Sequence, residues 1–347
     1  MVERSQQELE LDVVESINDV SKDEWNGVVE RSSEGSLFHR YEWLKAIESG
    51  LDYAVTHLTI RKDSNLIGLY PNVELEFENT PFTRLTSLYP GFGGPVATTN
   101  KNECLSLFSE SIPDVTNGRT LVHQIRACET SYLGYNNLLK IHGYIPTRDG
   151  CRFQIPLEMG YDEVWERMDR ERQRRIERGR EHEYEIVEEE LTPSNIRQLH
   201  DTYAQVMDRV GGDVIPLTFL NQLRNMEERV LVLSLIVDGE YAGSVLELLD
   251  EEHSRIHGWL AAVPQECFEY NATELLYDAV IRWGIDNEYE TYDLGYTASD
   301  ASDGLYNFKK SFGGDIVPNL SWERSCSPVW PLARTGRAIY WSKFKSN

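Results

Sequence analysis

The stretch from residue 271 to residue 314 decides the fold, and it begins NATELLYDAVIRWGIDNEYETYDLGY. Its first half predicts a helix, because apolar residues recur at the three-four spacing of one buried face; they are Ala272, Leu275, Leu276, Ala279, Val280 and Trp283. Asn271 is the predicted N-cap of this helix, and Glu274 follows three residues later, as in a capping box. The sequence therefore predicts an amphipathic helix with a defined start.

The second half of the stretch predicts a strand, a polar loop and a short helix. Residues 290–294 alternate in polarity like a strand, which ends at Gly295. Residues 297–303 are rich in Ser, Asp and Ala, a composition typical of a mobile rim. The last segment reads GLYNFKKSFGG over residues 304–314, and its short helix stops at the glycine pair.

This order, with Asp-Leu-Gly-Tyr closing the strand and Phe-Lys-x-x-Phe-Gly closing the stretch, resembles the C-terminal half of the FemAB-like (BioF2-like) transferases. These are double-domain relatives of the GNAT N-acyltransferases. The resemblance extends upstream through Arg172-Gln-Arg-Arg-Ile to Phe38-His-Arg-Tyr-Glu-Trp-Leu and covers nearly the whole chain. It implies an α/β (mixed α+β) fold of two tandem GNAT-like domains, each a mixed, mostly antiparallel sheet flanked by helices.

The two halves of the chain also repeat one order of elements. The hairpin turns at Asp63 and Asp238 lie 175 residues apart, and the strands that follow start at Arg84 and Arg255, 171 residues apart. Because 347 residues exceed one typical core, two domains are expected. The breaker-rich residues 146–150 mark the boundary, which gives domains 1–150 and 151–347.

The chain is strongly acidic, with 58 Asp and Glu against 34 Lys and Arg and a net charge of −24. Nucleic-acid binders carry the opposite balance, because they bind phosphate. An acidic, Lys-poor chain resembles proteins adapted to concentrated salt, in which repulsion between carboxylates is screened; an ordinary acidic cytosolic protein is the alternative. The five cysteines contain no Cys-x-x-Cys pair, so neither a zinc site nor a disulfide framework is expected.

The sequence contains no predicted membrane segment. No window reaches the roughly 18 apolar residues that a membrane helix needs, and the first ten residues lack the apolar segment of a signal peptide. We therefore expect a cytoplasmic protein without a membrane span.

Lys309 is the first candidate binding residue, since it lies between Phe308 and Phe312, just before two glycines. A Lys at the end of such a helix can pair with a phosphate or carboxylate as a point charge. A solvated Lys whose stem covers an aromatic ring is the alternative. The resemblance favours the first interpretation, because the FemAB-like family places a phosphate-contacting Lys in Phe-Lys-x-x-Phe-Gly. Lys309 and its neighbour Phe308 are therefore predicted to bind substrate.

Asp293, Tyr296 and His257 are the candidate catalytic residues. Asp293 and Tyr296 follow the end of a predicted strand, where ligands of open α/β sheets bind, so Asp293 could steer or deprotonate an amine; capping a turn is the alternative. His257 lies on the strand that GNAT-like proteins splay to admit the thioester, and it could accept a proton near neutral pH. A hydrogen-bonded strand histidine is the alternative there.

One basic patch stands out on the acidic chain, formed by Arg167, Arg170, Arg172, Arg174, Arg175, Arg178 and Arg180. Pairs with neighbouring acids on the helix would make it an ordinary solvated face. The family has an Arg-rich run at this place, so Arg172 and Arg175 are predicted to bind a phosphate or an acidic substrate. The helix after Asn271 lacks the Gly-rich phosphate loop of GNAT enzymes, but its N-terminal amides can hold phosphate, which makes Asn271 a further binding candidate.

The resemblance implies an N-acyltransferase that moves an acyl group from acyl-CoA, or from an aminoacyl donor, to an amine of a small or cell-envelope-related acceptor. The donor is the co-substrate, and no metal is implied. Aminoacyl-tRNA-dependent peptidyl transfer of the FemAB type is one alternative, which the acidic balance disfavours because tRNA needs a basic surface. A non-catalytic GNAT-like binding protein is the other alternative.

Overall fold

The computed structural model describes residues 9–127, 129–332 and 334 of the chain. They form two compact units. The first contains residues 9–48 and 52–148 together with the described residues from Leu320 on, and the second contains residues 49–51 and 149–319. The predicted domains 1–150 and 151–347 differ from these units at the end of the chain, where the residues after Asn319 group with the first unit.

The first unit alternates strands with helices. Its strands are β1 (Leu9–Val14), β2 (Ala54–Val55), β3 (His57–Lys62), β4 (Asn65–Tyr70), β5 (Asn72–Glu76), β6 (Thr83–Ser87), β7 (Val96–Ala97) and β8 (Thr120–Ala127). Its helices are α1 (Lys22–Arg31), α2 (Tyr41–Gly50), α3 (Lys101–Val115) and α4 (Asn136–Ile141), with 3-10 turns at Ile17–Asp19, Leu37–His39 and Thr130–Tyr135. A unit boundary falls within the next strand, β9 (Ile145–Pro156).

The strands of the first unit lie in two groups. One is a sheet with the order β1-β3-β4-β7, and in the other β8 lies beside β6, which is followed by β5 and β2. β6 runs parallel to β8 and antiparallel to β5, so this second group is mixed. The sequence predicts one strand over residues 66–77, whereas the structure divides it at Pro71 into β4 and β5, because a proline cannot donate to the ladder.

The second unit has the same alternation with longer strands. Its strands after β9 are β10 (Tyr184–Glu188), β11 (Val230–Val237), β12 (Glu240–Asp250), β13 (Arg255–Ala262), β14 (Thr291–Thr297) and β15 (Asp315–Ser325), the last of which contains a unit boundary. Its helices are α5 (Tyr161–Arg167), α6 (Arg170–Gly179), α7 (Pro193–Val210), α8 (Leu217–Gln222), α9 (Ala272–Asp286) and α10 (Gly304–Lys310), with 3-10 turns at Leu223–Arg229, Glu251–His253 and Gln265–Tyr270. Within the described residues, none of the helices is long and apolar enough to cross a membrane.

The sheet of the second unit has the order β10-β11-β12-β13-β14-β9. Its neighbours pair antiparallel except β13 and β14, which run parallel. The predicted hairpin between β11 and β12 is confirmed, since Asp238 and Gly239 have φ values of 52° and 82°, as a two-residue turn of the primed type requires. Each unit thus contains a hairpin followed by a parallel pair, which agrees with the predicted duplication.

Helix α9 covers this sheet with the apolar face that the sequence predicts. Leu276 and Val280 are fully buried in one core with Val245 and Ile256 from the sheet. The start of the helix differs from the prediction. Asn271 has a left-handed backbone with φ 55° and makes no capping hydrogen bond, because a side-chain cap needs an extended backbone at this position. The expected capping box is therefore wrong.

Candidate active site

The parallel ladder between β13 and β14 ends early, at the pair of His257 and Asp293. Both strands continue beyond this pair and are fully described, yet no further rung joins them. A glycine follows on each side. Gly295 has a φ of 77°, and a Cβ on it would lie 2.7 Å from the carbonyl oxygen of Gly258, so a larger residue would be strained there. We call this feature the glycine opening, defined by Gly258 and Gly295.

Glu247 lies beside the glycine opening, and it is the residue that the sequence interpretation missed. It is 1% exposed on β12, opposite Gly258 and at a register shift between Leu246 and Glu247. Its Oε1 accepts a hydrogen bond of 3.0 Å from the hydroxyl of Tyr292. Its Oε2 has no hydrogen-bond partner among the described residues, and it lies 3.4 Å from the place of a Cβ on Gly258. One oxygen of this carboxyl is thus anchored and the other is left unpaired at the opening.

Burial decides the protonation of Glu247. Removal from water raises the pKa of this carboxyl well above its usual range, because the charged form is the one that loses solvation. The hydroxyl of Tyr292, the charge of Lys309 and the backbone amide of Trp259 pull the pKa back down, but by less. Burial therefore favours the protonated form of this carboxyl over the carboxylate. The sequence did carry a signal, a lone acid within the apolar run of β12.

Lys309 lies on the other side of the glycine opening. The sequence predicts an ammonium at a cleft, whereas the structure buries this side chain to 7% exposure. Its Nζ donates to the carbonyl oxygen of Tyr296 over 2.8 Å and lies 3.5 Å from the place of a Cβ on Gly295. Burial lowers the pKa of Lys309 to about 8, against the opposing charges of Asp293 and Glu247. The amine can therefore gain or lose a proton near neutral pH.

Asp293 is buried completely and already has several partners. It forms an ion pair with Arg152, accepts from Gln154 over 3.0 Å, and accepts from the amide of Gly295 over 2.9 Å. Burial alone would raise the pKa of this carboxyl, but the charges of Arg152 and His257 and the hydrogen bonds from Gln154 and Gly295 together outweigh burial, and the pKa falls to about 2. A carboxylate so stabilised is a weak proton acceptor. Asp293 thus holds the backbone at Gly295 through the amide from which it accepts.

His257 points to a second buried carboxylate. Its Nε2 lies 3.5 Å from Oδ2 of Asp250, and Nδ1 of His253 lies 3.1 Å from the same oxygen. A strand starting at His253 would keep the two histidines about 13 Å apart, but His253 belongs to a 3-10 turn and β13 starts at Arg255. Because His253 precedes the strand, the two rings can converge on one carboxylate. Burial raises the pKa of Asp250, but both histidines oppose this and hold it well below its usual range.

The Arg-rich run forms α5 and α6, with a break at Met168 where one helix is predicted. Its arginines reach acids far away in the sequence: Arg172 forms an ion pair with Glu274, and Arg180 pairs with Asp278 over 2.6 Å. The guanidinium of Arg172 also lies 4.4 Å from the ring centre of Phe308. Burial lowers the pKa of Arg172, although the charge of Glu274 opposes the shift. Arg172 therefore fastens α6 to the start of α9.

A groove of about 350 Å³ opens at the start of α9. Ala261 and Val263 at the end of β13 form part of its wall, as do Tyr277 and Phe308. Its charged groups include Glu274 and Arg175. The side chain of Arg175 is half exposed, and its guanidinium lies 3.4 Å from the carboxylate of Glu274. The groove thus combines an apolar wall with a charged end.

The structure separates the predicted site residues into two sets. His257, Asp293 and the carbonyl of Tyr296 lie around the glycine opening with Lys309. The remaining candidates lie at or next to the groove: Arg172, Arg175, Asn271 and Phe308. The side chain of Tyr296 is 43% exposed.

Two other features of the molecule do not form a candidate site. A cavity of about 650 Å³ is lined by Glu188, Glu189, Glu190 and Glu227 together with Arg224, and most of these charged side chains are exposed. In the part of the chain that the structure describes, no group of three or more His, Cys, Asp or Glu could hold a metal ion. The glycine opening and the groove remain the candidate site.

Residues 166–310 match the profile of a family described as acetyltransferase (GNAT) domain. This range contains α6, the β11–β12 hairpin, the glycine opening and Lys309. None of the curated proteins compared with the sequence matches it.

Solved structures share the fold over nearly the whole chain. The crystal structure of FemX has a TM-score of 0.71 at 12% identity, covering 92% of this chain and 99% of that one. A tandem GNAT protein from the clavulanic acid biosynthesis pathway has a TM-score of 0.56 at 12% identity, covering 92% and 99%. L-PGS from Bacillus licheniformis has a TM-score of 0.56 at 12% identity, covering 90% and 94%. The expected fold of two tandem GNAT-like domains is thereby confirmed.

Proposed function

We propose, from the premise that this chain is a FemAB-like, double-domain GNAT protein, that its second unit transfers an acyl group to an amine. The donor is an acyl-CoA or an aminoacyl ester, and the acceptor is a small or cell-envelope-related amine, met in the cytoplasm. The observation that carries the proposal is the glycine opening, flanked by the buried groups of Glu247 and Lys309.

The reaction has a defined balance of bonds and protons. The lone pair of a neutral amine forms an N–C bond to the donor carbonyl, and the C–S or C–O bond to the leaving group breaks. Backbone amides at the glycine opening would stabilise the oxyanion formed between these steps. The nitrogen loses one proton and the leaving group gains one. Lys309, with its pKa of about 8, is suited to accept the first of these protons.

The other predicted residues take supporting roles in the proposal. Asp293 orients the backbone at Gly295 through the amide that it accepts. His257 stays a candidate proton acceptor, held by Asp250. Tyr296 contributes its carbonyl, which positions the ammonium of Lys309.

The donor is proposed to lie in the groove. The first-turn amides of α9, which follow Asn271, and the half-exposed Arg175 are suited to an anionic group. Arg172 and Phe308 support that end of the groove through their mutual contact. Glu274 is paired there with both Arg172 and Arg175, so this end of the groove carries a net positive charge that suits the anionic group of either donor, whereas the net charge of −24 disfavours tRNA. Both donor classes therefore belong in the test.

The test incubates the protein with a panel of acyl-CoAs and with a charged tRNA pool, each in the presence of amino acids, amino sugars and peptidyl envelope precursors. Mass spectrometry then searches for an amine whose mass has increased by the acyl group. The proposal expects such a product with at least one donor and a large loss in Lys309→Met. An intact donor throughout, together with retained ligand binding, would instead assign the chain to the non-catalytic GNAT-like proteins.

A further inference from the structure

The glycine opening has two sides, and each carries one buried titratable group. Oε2 of Glu247 lies 3.4 Å from the Cβ place of Gly258, and Nζ of Lys309 lies 3.5 Å from the Cβ place of Gly295. The two glycines are themselves in contact, because a Cβ on Gly295 would lie 2.7 Å from the oxygen of Gly258. A donor carbonyl bound next to this glycine pair, where the two strands separate, would therefore meet a carboxyl on one side and an amine on the other.

The carboxyl of Glu247 is incompletely satisfied. Tyr292 anchors Oε1, while Oε2 has no hydrogen-bond partner in the described residues, although the side chain is 99% buried. An unpaired buried oxygen costs about 1–3 kcal/mol, and native structures retain few such groups without a reason. A hydrogen on Oε2 would supply a donor that no protein group uses. That unused donor faces the place where the strands part.

We propose that Glu247 is the catalytic acid of the transfer and gives the proton on its Oε2 to the leaving atom of the donor. This inference rests on the proposed function. As the C–S or C–O bond breaks, its electron pair goes to the sulfur or oxygen, which takes the proton from Oε2. The attacking nitrogen loses its proton to neutral Lys309. Transfer of that proton from Lys309 to the Glu247 carboxylate restores both groups, so no other reactant is needed.

The groups that face Glu247 are consistent with this role. Tyr292 on β14, Tyr277 on α9 and Lys309 on α10 are the titratable groups that interact with it. The residues opposite on the neighbouring strands, Gly258 and Leu231, cannot titrate. Burial raises the pKa of Glu247 well above its usual range, which favours the acid form over the carboxylate.

The experiment compares two donors that differ only in how well their leaving group departs. Phenyl acetate releases a phenolate that needs a proton, whereas 4-nitrophenyl acetate releases an anion that is stable without one. Hydroxylamine serves as the small amine, and the uncatalysed rate is subtracted. For Glu247→Gln we expect a loss of roughly a hundredfold or more with phenyl acetate, as is typical of a missing acid. With 4-nitrophenyl acetate the loss should stay within about threefold, because that step does not require the acid.

Two further variants keep the result interpretable. Glu247→Leu fills about the same space without a polar atom, and it replaces Glu247→Gln if that variant folds poorly. The same selective loss with phenyl acetate is expected from it. Tyr70→Phe, in the first unit, should leave both rates unchanged. An equal loss with both esters, or no loss, would overturn the role of Glu247 while leaving the transfer intact. A wild-type protein that accelerates neither these esters nor any donor of the wider panel would overturn the proposed function and this inference together.

Discussion

The two units each bury a polar cluster next to their parallel strands, and the clusters differ in how completely they are satisfied. In the first unit, His123 on β8 contacts the hydroxyls of Tyr144 at 2.7 Å and Tyr70 at 3.1 Å, and the amide oxygen of Asn72 at 3.0 Å. Both ring nitrogens are thus engaged. Burial, with the charge of Arg324 nearby, lowers the pKa of His123 to about 3, so this cluster is neutral and closed.

The cluster in the second unit contains two titratable groups and is open, that is, incompletely satisfied. Glu247 stands 175 residues after Asn72, the same offset that separates the hairpin turns. Where the first unit has an amide with its partners, the second has a carboxyl with one unpaired oxygen and a buried amine nearby. A buried polar network in which every group is hydrogen-bonded rigidifies a core. An unpaired polar group in such a network lowers the stability of the fold, and a functional role can explain why it is retained. This difference is the reason that a structural role is proposed for the first cluster and a catalytic role for the second.

The largest expected effect comes from breaking the ion pair that supports the glycine opening. Arg152→Met leaves the buried carboxylate of Asp293 without its cation, which should lower the free energy of unfolding by about 3–5 kcal/mol near neutral pH. Urea denaturation measures this. The pKa of Asp293 is lowered from 3.8 to about 2. The stabilisation of the fold by this ion pair is therefore present above pH 3.8 and is lost as the pH falls through about 2.

A matched control exists for this variant on the surface. Arg61 pairs with Glu24 over 2.8 Å, and both side chains are partly exposed. Arg61→Met should therefore change the free energy of unfolding by less than about 1 kcal/mol. Similar losses in the two variants would contradict a structural role for the buried pair.

The next effect concerns the amine of the open cluster. Lys309→Met keeps the apolar stem and removes the ammonium, and kcat/KM should fall by roughly tenfold to a hundredfold, since hydrogen bonds to charged groups contribute about 1.5–3 kcal/mol. The fold should persist, because the burial that lowers the pKa of Lys309 to about 8 also penalises its charge. Lys310, one residue on and exposed, is the control. Equal losses at both positions would point to a diffuse effect of charge.

The carboxyl of the open cluster should show itself in the pH dependence of stability. Burial raises the pKa of Glu247 above 4.5. The stability that this shift contributes to the folded protein is therefore present below pH 4.5 and is lost as the pH rises toward the pKa of the folded state. Relative to wild type, Glu247→Gln should therefore gain stability with rising pH, by up to about 1.4 kcal/mol per pH unit. Urea titrations at several pH values measure this difference. A difference that does not change with pH would mean that Glu247 is ionised in the folded protein.

The smallest effect is expected in the closed cluster. Tyr70→Phe removes one hydrogen bond to His123, which still contacts Asn72 and Tyr144, and the loss of stability should be about 1 kcal/mol. Because the pKa of His123 is lowered to about 3, the loss should not depend on pH between about pH 5 and 8. Acyl transfer should stay at the wild-type rate. A large change in rate would show that the first cluster also takes part in the reaction.

The fold could be predicted from local patterns, because periodicity and turn residues report on neighbours in the sequence. The helix after Asn271 and the turn at Asp238-Gly239 are of this kind. What sequence could not supply depends on distant partners. The pairing of Arg172 with Glu274 spans 102 residues, and the burial of Lys309 depends on the carbonyl of Tyr296 across the loop.

Glu247 shows why the site was only partly predictable. A lone acid in the apolar run of β12 signals burial, but its environment depends on Gly258 and on the register shift that places them opposite each other. Neither the register nor the opening between β13 and β14 can be read from the residues of β12. Asp293 was identified by its position at a strand end, and its partner Arg152, on a strand 141 residues earlier, decides that it stays ionised.

The central claim is that the second unit, and not the first, receives the acyl donor. Hydrogen–deuterium exchange of the wild-type protein tests this most directly, measured alone, with acetyl-CoA and with a charged tRNA pool. The account predicts that at least one donor slows exchange in β13, the first turns of α9 and α10, while β6 and β8 exchange at the rate of the protein alone. Slowing confined to β6 and β8, or no slowing by either donor, would contradict it.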